Sequence, residues 1–167
     1  IVSPAMNTAM FENQITQDNI AKLKKYGIGV VEPQNGLLAC GDTGAGKMPE
    51  PDFLFDVIER EIAREKDMLG KKVLVTAGAT MESLDPVRFL TNHSSGKMGF
   101  AIAKEAMLRG AEVTVVKANT TAEIPNFVKI VEVSSAKDMF DAVTALSDQQ
   151  DIIVKAAAVA DYTPESY

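Results

Sequence analysis

The chain has 167 residues, of which 46% are hydrophobic and 24% are charged, so its composition is that of a globular protein. The net charge is −6 and no cluster of lysines and arginines stands out, which argues against duplex nucleic acid as a partner. The single cysteine, Cys40, excludes an internal disulfide, and no apolar run is long enough to span a membrane. We therefore expect a cytoplasmic protein that binds neither nucleic acid nor a membrane.

The first part of the chain alternates strand and helix patterns. Ile20 and Leu23 share one helix face before Gly27, and a second apolar stripe follows Pro51, a residue suited to the first turn of a helix. The predicted elements are a strand end at 1–3, a helix at 16–26, a strand at 28–31, a loop at 32–50 and a helix from residue 51. The opening Ile-Val-Ser-Pro predicts that the chain starts within a domain.

The second part continues the alternation after a predicted boundary at residues 68–71. Val73–Thr76 is a mainly β-branched run, which is typical of a buried parallel strand. Ser135 and Asp138 have the spacing of a capping box and predict the start of a helix. The predicted elements are strands at 73–76, 112–116, 128–133 and 152–154 and helices at 96–109 and 136–148.

This alternation predicts an α/β fold made of two partial doubly wound (Rossmann-like) parallel-sheet domains. The predicted domains are residues 1–69 and 70–167. Residues 162–167 leave the last strand without a covering helix, so we expect the chain to end within a domain as well.

The loop between strand 73–76 and the helix from residue 96 is rich in hydrogen-bond donors. The hydrogen-bond donors at residues 88–97 are the side chains of Arg88, Asn92, His93, Ser94, Ser95 and Lys97. A strand, a loop and a helix in this order place backbone N–H groups and the positive end of the helix dipole beside an anion. The loop therefore predicts a site for a phosphate or a carboxylate.

Two glycine-containing stretches resemble nucleotide-binding motifs, but other residues that each motif requires are absent. Residues 41–47 match the first seven positions of a P-loop, yet Met48 replaces the magnesium-binding hydroxyl and residues 49–51 (Pro-Glu-Pro) prevent the required helix. The pair Gly96 and Gly99 does not complete the GxGxxG signature of dinucleotide-binding domains. Neither stretch by itself predicts a nucleotide site.

Six longer motifs follow one another along the chain. They are SPAMNTAMF (Ser3 to Phe11), ACGDTGAGKM (Ala39 to Met48), Thr76-Ala77-Gly78, Asp85-Pro86-Val87-Arg88, NHSSGKMG (Asn92 to Gly99) and the stretch from Ala156 to Tyr162. Together they resemble the bifunctional coenzyme A biosynthesis protein family, over essentially the whole chain. That family fuses phosphopantothenoylcysteine decarboxylase, an FMN protein, to a CTP-dependent phosphopantothenate–cysteine ligase. The resemblance implies the second half of the decarboxylase followed by the first half of the ligase.

For the decarboxylase half, the resemblance implies that Asn7 contacts the substrate carboxylate and that Cys40 protonates or reduces the enethiolate left by loss of CO2. The glycine-rich loop around Cys40 would close over the substrate. The residues alone also permit Asn7 to cap the next helix and Cys40 to be a buried apolar side chain. The chain departs from the family at Phe11, where Trp is common, and at Lys47, where Arg is common. The family's catalytic histidine and FMN phosphate loop have no counterpart here.

For the ligase half, the resemblance ties Asn92 to the acyl-cytidylate intermediate, and Arg88 stands one turn before Asn92 if that segment is helical. The implied sites for the phosphate of 4′-phosphopantothenate are Ser94, Ser95, Gly96 and Lys97. The implied contacts for CTP, which acts with Mg²⁺, are Gly78, the main chain of Lys155, Ala156 and Ala157, and the side chain of Asp161.

The residues also permit plainer roles in this half. His93 can be structural, Arg88 can pair with Asp85, and residues 94–95 can cap a helix. The alanines at 156–158 can pack under a helix, and the chain departs from the family's frequent Ser-Gly-Pro turn at residues 116–119.

Two other functions compete with this interpretation. A dinucleotide-dependent oxidoreductase needs a GxGxxG turn after Thr76 and an acidic residue near Val116, where the chain has Lys117 instead. A non-catalytic flavoprotein-like regulator would be expected to lack Cys40 or Asn92, and both are present. We favour the two-enzyme function, with small-molecule substrates and a homo-oligomeric assembly. The chain alone is expected to be inactive, because the resemblance puts a ligase lysine beyond its last residue.

Overall fold

The computed structural model describes residues 1–165, which form two compact units. The first unit is Ile1–Glu61 and the second begins at Ile62. The elements that begin in the first unit are α1 (Thr8–Phe11), α2 (Gln14–Lys25), β1 (Gln34–Leu37), β2 (Thr43–Lys47) and α3 (Pro51–Ile62). Helices α1 and α2 each follow an asparagine, Asn7 and Asn13, whose side chain accepts a hydrogen bond from the amide two residues later.

An antiparallel hairpin of β1 and β2 occupies much of the segment predicted as a loop, residues 32–50. That prediction was wrong because the two short strands, QNGL and TGAGK, lack the alternation of apolar residues that marks a strand in sequence. The strand predicted at 28–31 is reduced to a bridge in which Val30 pairs with Val2 in parallel.

A parallel four-stranded sheet forms the centre of the second unit. The elements of this unit are β3 (Lys72–Ala77), β4 (Met81–Ser83), β5 (Phe89–Thr91), α4 (Lys97–Leu108), β6 (Glu112–Lys117), β7 (Lys129–Glu132), α5 (Ala136–Ser147) and β8 (Ile152–Lys155). The strand order is β7-β6-β3-β8, and each neighbouring pair is parallel. The predicted strands and helices of this unit are confirmed to within one residue at each end.

Helices cover both faces of this sheet. Val73 and Val75 of β3 pack in one core cluster with Phe100 of α4, whereas Leu74 packs in another with Met139 of α5. All five side chains are at most 4% exposed. Since successive strand residues point to opposite faces, α4 and α5 cover opposite faces of the sheet. The predicted doubly wound α/β fold is thus confirmed.

The winding direction of the sheet reverses beside β3. The chain passes from β3 through α4 to β6 and then outward to β7, and it returns through α5 to β8 on the other side of β3. In open parallel sheets, ligands bind outside the carboxyl ends of the strands at such a reversal. The topology alone therefore indicates a ligand site at the carboxyl ends of β3 and β8.

A second antiparallel hairpin, of β4 and β5, lies within the donor-rich loop. Arg88 is in the turn between these strands, so the helical turn considered for residues 88–92 is wrong. The sequence LDPVR favours a turn over a helix, because Asp85 binds the amides of Val87 and Arg88. Within residues 1–165, no helix combines the length and the hydropathy needed to cross a membrane.

Candidate functional site

The segments that follow β3 and β8, residues 77–80 and 156–160, pair through backbone hydrogen bonds at the carboxyl edge of the sheet, and the surface they form there is called here the strand-end crevice. Gly78 lies on its β3 side with a φ of 87°. A Cβ at this position would lie 2.4 Å from the carbonyl oxygen of Asn119, and the amide of Ala158 donates to the Gly78 carbonyl at 2.8 Å. Only glycine fits such a close approach of three backbone segments.

Thr76, at the end of β3, fixes the β8 side of the crevice. Its Oγ1 accepts hydrogen bonds from the amides of both Ala156 and Ala157, each at 3.1 Å. These two amides are therefore engaged within the protein and are not free to bind a ligand. Lys155, the last residue of β8, is exposed.

Asn92 joins the donor-rich loop to the segment after β8. Its Nδ2 donates to the carbonyl oxygens of Ala158, at 3.4 Å, and Val159, at 3.2 Å. The preceding residue, Thr91, donates through its hydroxyl to the carbonyl of Thr80 at 2.7 Å. Thr80 is fully buried, and its own hydroxyl accepts from the amide of Ala160 at 2.8 Å. The predicted residue Asn92 is thus held against the strand-end crevice.

The amino terminus of α4 reaches the same crevice. Its N-cap residue, Gly96, has a φ of 77° and makes no side-chain cap hydrogen bond. A Cβ on Gly96 would lie 3.2 Å from the amide nitrogen of Gly78, and a Cβ on Gly99 would lie 2.7 Å from the Cβ of Ala77. The Oγ of Ser95 accepts from the Lys97 amide at 3.5 Å, so Ser95 provides a weak form of the predicted cap. The positive end of α4 therefore lies beside Gly78 and favours an anion there.

The amino terminus of α5, by contrast, is filled by side chains of the protein. Ser135 and Asp138 form the predicted capping box. A carboxylate oxygen of Glu82, which is only 4% exposed, accepts from the Ala136 amide at 2.8 Å. Glu82 was not predicted, because a single Glu in the segment Met81-Glu82-Ser83 carries no sequence signal for burial. Of the two helices α4 and α5, α4 is the one whose amino terminus is suited to a ligand anion.

Three of the candidate side chains stay outside this hydrogen-bonded network. Arg88 pairs with Asp85 at 2.6 Å, which is the ion pair that the sequence also permitted. The side chain of Arg88 is 77% exposed. Hydrogen bonds from the amides of Val87 and Arg88, and then from the Arg88 side chain, lower the pKa of Asp85. Asp161 and His93 are exposed, and within residues 1–165 the side-chain hydrogen bonds of Asn92 go to Ala158 and Val159 and not to them.

Unit 1 contains a separate cavity of about 390 Å³, called here the Asn7–Cys40 pocket. Its lining residues are Ala5, Met6, Asn7, Leu37 to Cys40 and Gly46 to Met48. The Oδ1 of Asn7 accepts from the Ala9 amide at 2.9 Å, and its Nδ2 donates to Sγ of Cys40 at 3.4 Å. Asn7 therefore caps α1 and also contacts Cys40. Cys40 is exposed, so its interpretation as a buried apolar side chain is wrong.

Cys40 lies between β1 and β2, so this hairpin places it in the wall of the pocket. The amide of Met6 donates to the Gly46 carbonyl at 3.0 Å, and the Thr8 hydroxyl donates to the Ala45 carbonyl at 2.8 Å. Residues 43–47 form β2 and not a loop before a helix, which agrees with the rejection of a P-loop. Lys47 pairs with Glu50 at 2.6 Å and lowers the pKa of that carboxyl group.

Neither site contains a metal cluster. Across residues 1–165, no group of three or more His, Cys, Asp or Glu side chains is arranged to hold a metal ion. A magnesium ion carried by a triphosphate needs only one or two carboxylates, since phosphates and water supply its other ligands. The exposed Asp161, which follows the β8 side of the crevice, is compatible with that mode of binding.

Comparison with known families divides the chain in two. Residues 1–63 match the family model described as "Flavoprotein", and residues 68–167 match the model described as "DNA/pantothenate metabolism flavoprotein C-terminal domain". The "Coenzyme A biosynthesis bifunctional protein CoaBC" of Vibrio vulnificus is 47% identical over 163 residues, which cover 98% of this chain and 40% of that protein. The protein of that name from Bacillus subtilis is 40% identical over 168 residues, which cover 99% of this chain and 41% of that protein. The chain thus spans about two fifths of the curated relatives it matches.

Solved structures also resemble this chain. The crystal structure of the C-terminal domain of CoaBC is 51% identical, with a TM-score of 0.56, and the match covers 59% of this chain and 50% of that one. The DNA/pantothenate metabolism flavoprotein from Streptococcus pneumoniae is 31% identical, with a TM-score of 0.54. The match covers 57% of this chain and 42% of that one. With a family model matching residues 68–167, more than half of its length, the chain belongs to the family of the DNA/pantothenate metabolism flavoprotein C-terminal domain.

Proposed function

We propose that this chain is part of a protein that makes 4′-phosphopantetheine in two steps of coenzyme A biosynthesis. Residues 70–167 belong to a ligase that joins 4′-phosphopantothenate to cysteine through an acyl-cytidylate formed from CTP. Residues 1–69 belong to an FMN-dependent decarboxylase that acts on the resulting 4′-phosphopantothenoylcysteine. The proposal includes a cytoplasmic location and a homo-oligomeric assembly. It is supported by the name shared by the relatives in Vibrio vulnificus and Bacillus subtilis.

The observation that carries the ligase assignment is the convergence of Gly78, Gly96 and Asn92 at the strand-end crevice. An anionic group bound there faces the amino terminus of α4, where Gly96 makes no side-chain cap hydrogen bond and Ser95 makes only a long one of 3.5 Å. We assign the phosphate of 4′-phosphopantothenate to Ser94, Ser95, Gly96 and Lys97. Lys97 is exposed at the first position of α4, where its ammonium group adds positive charge beside the helix terminus.

In the ligation, negative charge builds first on phosphorus and then on the tetrahedral acyl carbon, so fixed donors stabilise both transition states. Asn92 is held in place by the carbonyls of Ala158 and Val159, which gives a defined position to an amide beside the acyl group. Arg88 lies on the β4–β5 hairpin and would act after releasing Asp85. Gly78 and residues 155–157 would form the floor for CTP, with Asp161 near the Mg²⁺ that accompanies it.

In the decarboxylation, Asn7 orients the substrate carboxylate, and Cys40 donates the proton that the enethiolate takes up when it is reduced. The 3.4 Å contact between these side chains supports a shared substrate site. A bound FMN would supply the two-electron oxidation of the thiol-bearing carbon, which delocalises the carbanion formed on loss of CO2, and the same two electrons would return to the enethiolate. The buried hydroxyl of Ser3, which has no hydrogen-bond partner among residues 1–165, is a polar group of this chain that could face the cofactor.

The ligase assignment is tested with the full-length protein carrying Asn92→Asp. CTP-dependent formation of the amide from 4′-phosphopantothenate and cysteine should fall by at least about tenfold, since a carboxylate loses the hydrogen bonds to the Ala158 and Val159 carbonyls and adds negative charge beside the reacting groups. Asn19→Asp, on the exposed face of α2, makes the same chemical change at a residue assigned to neither site and should leave turnover unchanged. Equal turnover in wild type and Asn92→Asp would remove Asn92 from this role. A wild-type protein without CTP-dependent activity would contradict the ligase function itself.

A further inference from the structure

The loop between β6 and β7 contacts the predicted phosphate site through the side chain of Thr120. The Oγ1 of Thr120 donates to the carbonyl oxygen of Ser95 at 2.6 Å and accepts from the amide of Ala122 at 3.0 Å. Thr120 is half-buried and lies 25 residues from Ser95 in sequence. One hydroxyl therefore joins two loops that are far apart in the chain.

The packing around Gly96 shows how closely this hydroxyl fits. A Cβ on Gly96 would lie 2.6 Å from the Oγ1 of Thr120, so the hydroxyl occupies the space beside the N-cap of α4. Asn119, next to Thr120, pairs with Ala79 through two backbone hydrogen bonds of 2.8 and 3.0 Å. The residue that anchors Thr120 is thus tied directly to the turn after β3.

We propose that Thr120 is a positioning residue that holds Ser95 and Gly96 in the conformation that binds the phosphate of 4′-phosphopantothenate. This inference rests on the proposed ligase function. The carbonyl of Ser95 immediately precedes the N-cap, so the hydrogen bond from Thr120 orients the peptide group that begins α4. Without that bond, the carbonyl can rotate toward the anion, and the first amides of the helix lose their alignment with it.

The test compares Thr120→Val with Thr120→Ser in the full-length protein. Valine keeps the shape of the side chain but removes the hydroxyl, whereas serine keeps the hydroxyl. Thr120→Val should raise the KM for 4′-phosphopantothenate about tenfold and leave the KM for CTP within about twofold. Thr120→Ser should restore the wild-type value, and Thr121→Val, at the exposed neighbouring position, should have no effect.

An unchanged KM in Thr120→Val, or a failure of Thr120→Ser to restore it, would overturn the inference. A parallel rise in both KM values would indicate general loosening of the site and would also overturn it. If the wild-type protein lacks ligase activity, the proposed function fails separately. The positioning role is then tested by hydrogen exchange of the amides at 95–99 with and without inorganic phosphate: protection by phosphate should be lost in Thr120→Val and kept in Thr120→Ser. Equal protection in all three proteins would contradict the role.

Discussion

The side-chain amide of Asn7 donates a hydrogen bond to Sγ of Cys40 across 33 residues of sequence, while its oxygen caps α1. Helix capping thus fixes the orientation in which Asn7 meets the thiol. The thiol also contacts a carboxylate oxygen of Asp42 at 3.5 Å. A single side chain therefore serves both the local structure of unit 1 and its candidate chemistry.

Replacement of Cys40 by serine should stop the decarboxylase sequence after loss of CO2. Serine keeps a polar atom near Asn7, but a hydroxyl is a far weaker acid and reductant than a thiol. We expect the oxidised, decarboxylated intermediate to accumulate in the full-length protein, as detected by mass spectrometry of the quenched reaction. Amide formation by the same sample serves as the internal control and should be unaffected. Normal yields of 4′-phosphopantetheine would contradict the role of Cys40.

Gly78→Ala should destabilise the protein much more than Gly70→Ala. Both glycines have positive φ, 87° and 77°, but a Cβ on Gly70 meets no atom within 4 Å, whereas one on Gly78 meets the Asn119 carbonyl. The left-handed conformation alone costs about 1–2 kcal/mol, so Gly70→Ala measures that cost. Gly78→Ala should cost about 3 kcal/mol or more. Urea unfolding followed by circular dichroism measures both values, and equal losses would exclude steric contact at Gly78.

Loss of the Glu82 carboxylate should weaken the attachment of the β4–β5 hairpin to α5. Glu82→Gln keeps a hydrogen-bond acceptor for the Ala136 amide but loses the charge beside the helix dipole, at a cost of about 1 kcal/mol. Glu82→Ala also leaves a buried amide without its partner and should cost about 2–3 kcal/mol. The exposed Glu123→Gln is the matched control and should change the free energy of unfolding by less than about 0.5 kcal/mol. An effect of Glu82→Ala no larger than this control would contradict the prediction.

The capping box of α5 should contribute to acid sensitivity. The backbone N–H of Ser135, followed by its side chain, lowers the pKa of Asp138. A carboxyl group whose pKa is lower in the folded than in the unfolded state stabilises the folded protein. This contribution is complete above the pKa of the unfolded state, about 3.9, and is lost as the pH falls through the pKa of the folded state. The difference in unfolding free energy between wild type and Asp138→Asn should therefore be largest near pH 6 and shrink below about pH 4. A difference that stays constant down to pH 2 would show that the charge of Asp138 does not stabilise α5.

The central sheet was predictable because its strands are apolar and its helices carry clear boundaries. Val73–Thr76 is a continuous run that both faces of the sheet bury, and Ser135 marks the start of α5. The two hairpins were missed because glycine and polar residues hide their alternation, as in Thr43–Lys47. Strand pairing in such segments is set by contacts with distant residues, such as the bond between Met6 and Gly46, and not by local pattern.

The candidate sites were predictable only in part. Sequence motifs identified Asn7 with Cys40, and Asn92 with Gly78 and Gly96. They did not assign a role to Thr76, Thr80 or Thr120, whose hydroxyls bind backbone groups as far as 81, 80 and 25 residues away, respectively. A buried threonine has no distinguishing neighbours in sequence, so its role becomes visible only when the fold brings its partners together.

The proximity of Gly78 and Gly96 means that neither the turn after β3 nor the start of α4 has space for a side chain at these positions. A side chain introduced at Gly96 would press on the amide of Gly78 at 3.2 Å, and one at Gly78 would displace the strand connection at Asn119. In a combinatorial library that varies both positions, folded clones should retain glycine at the two sites together. Any attempt to transplant this crevice into another scaffold must carry both turns as one inseparable part.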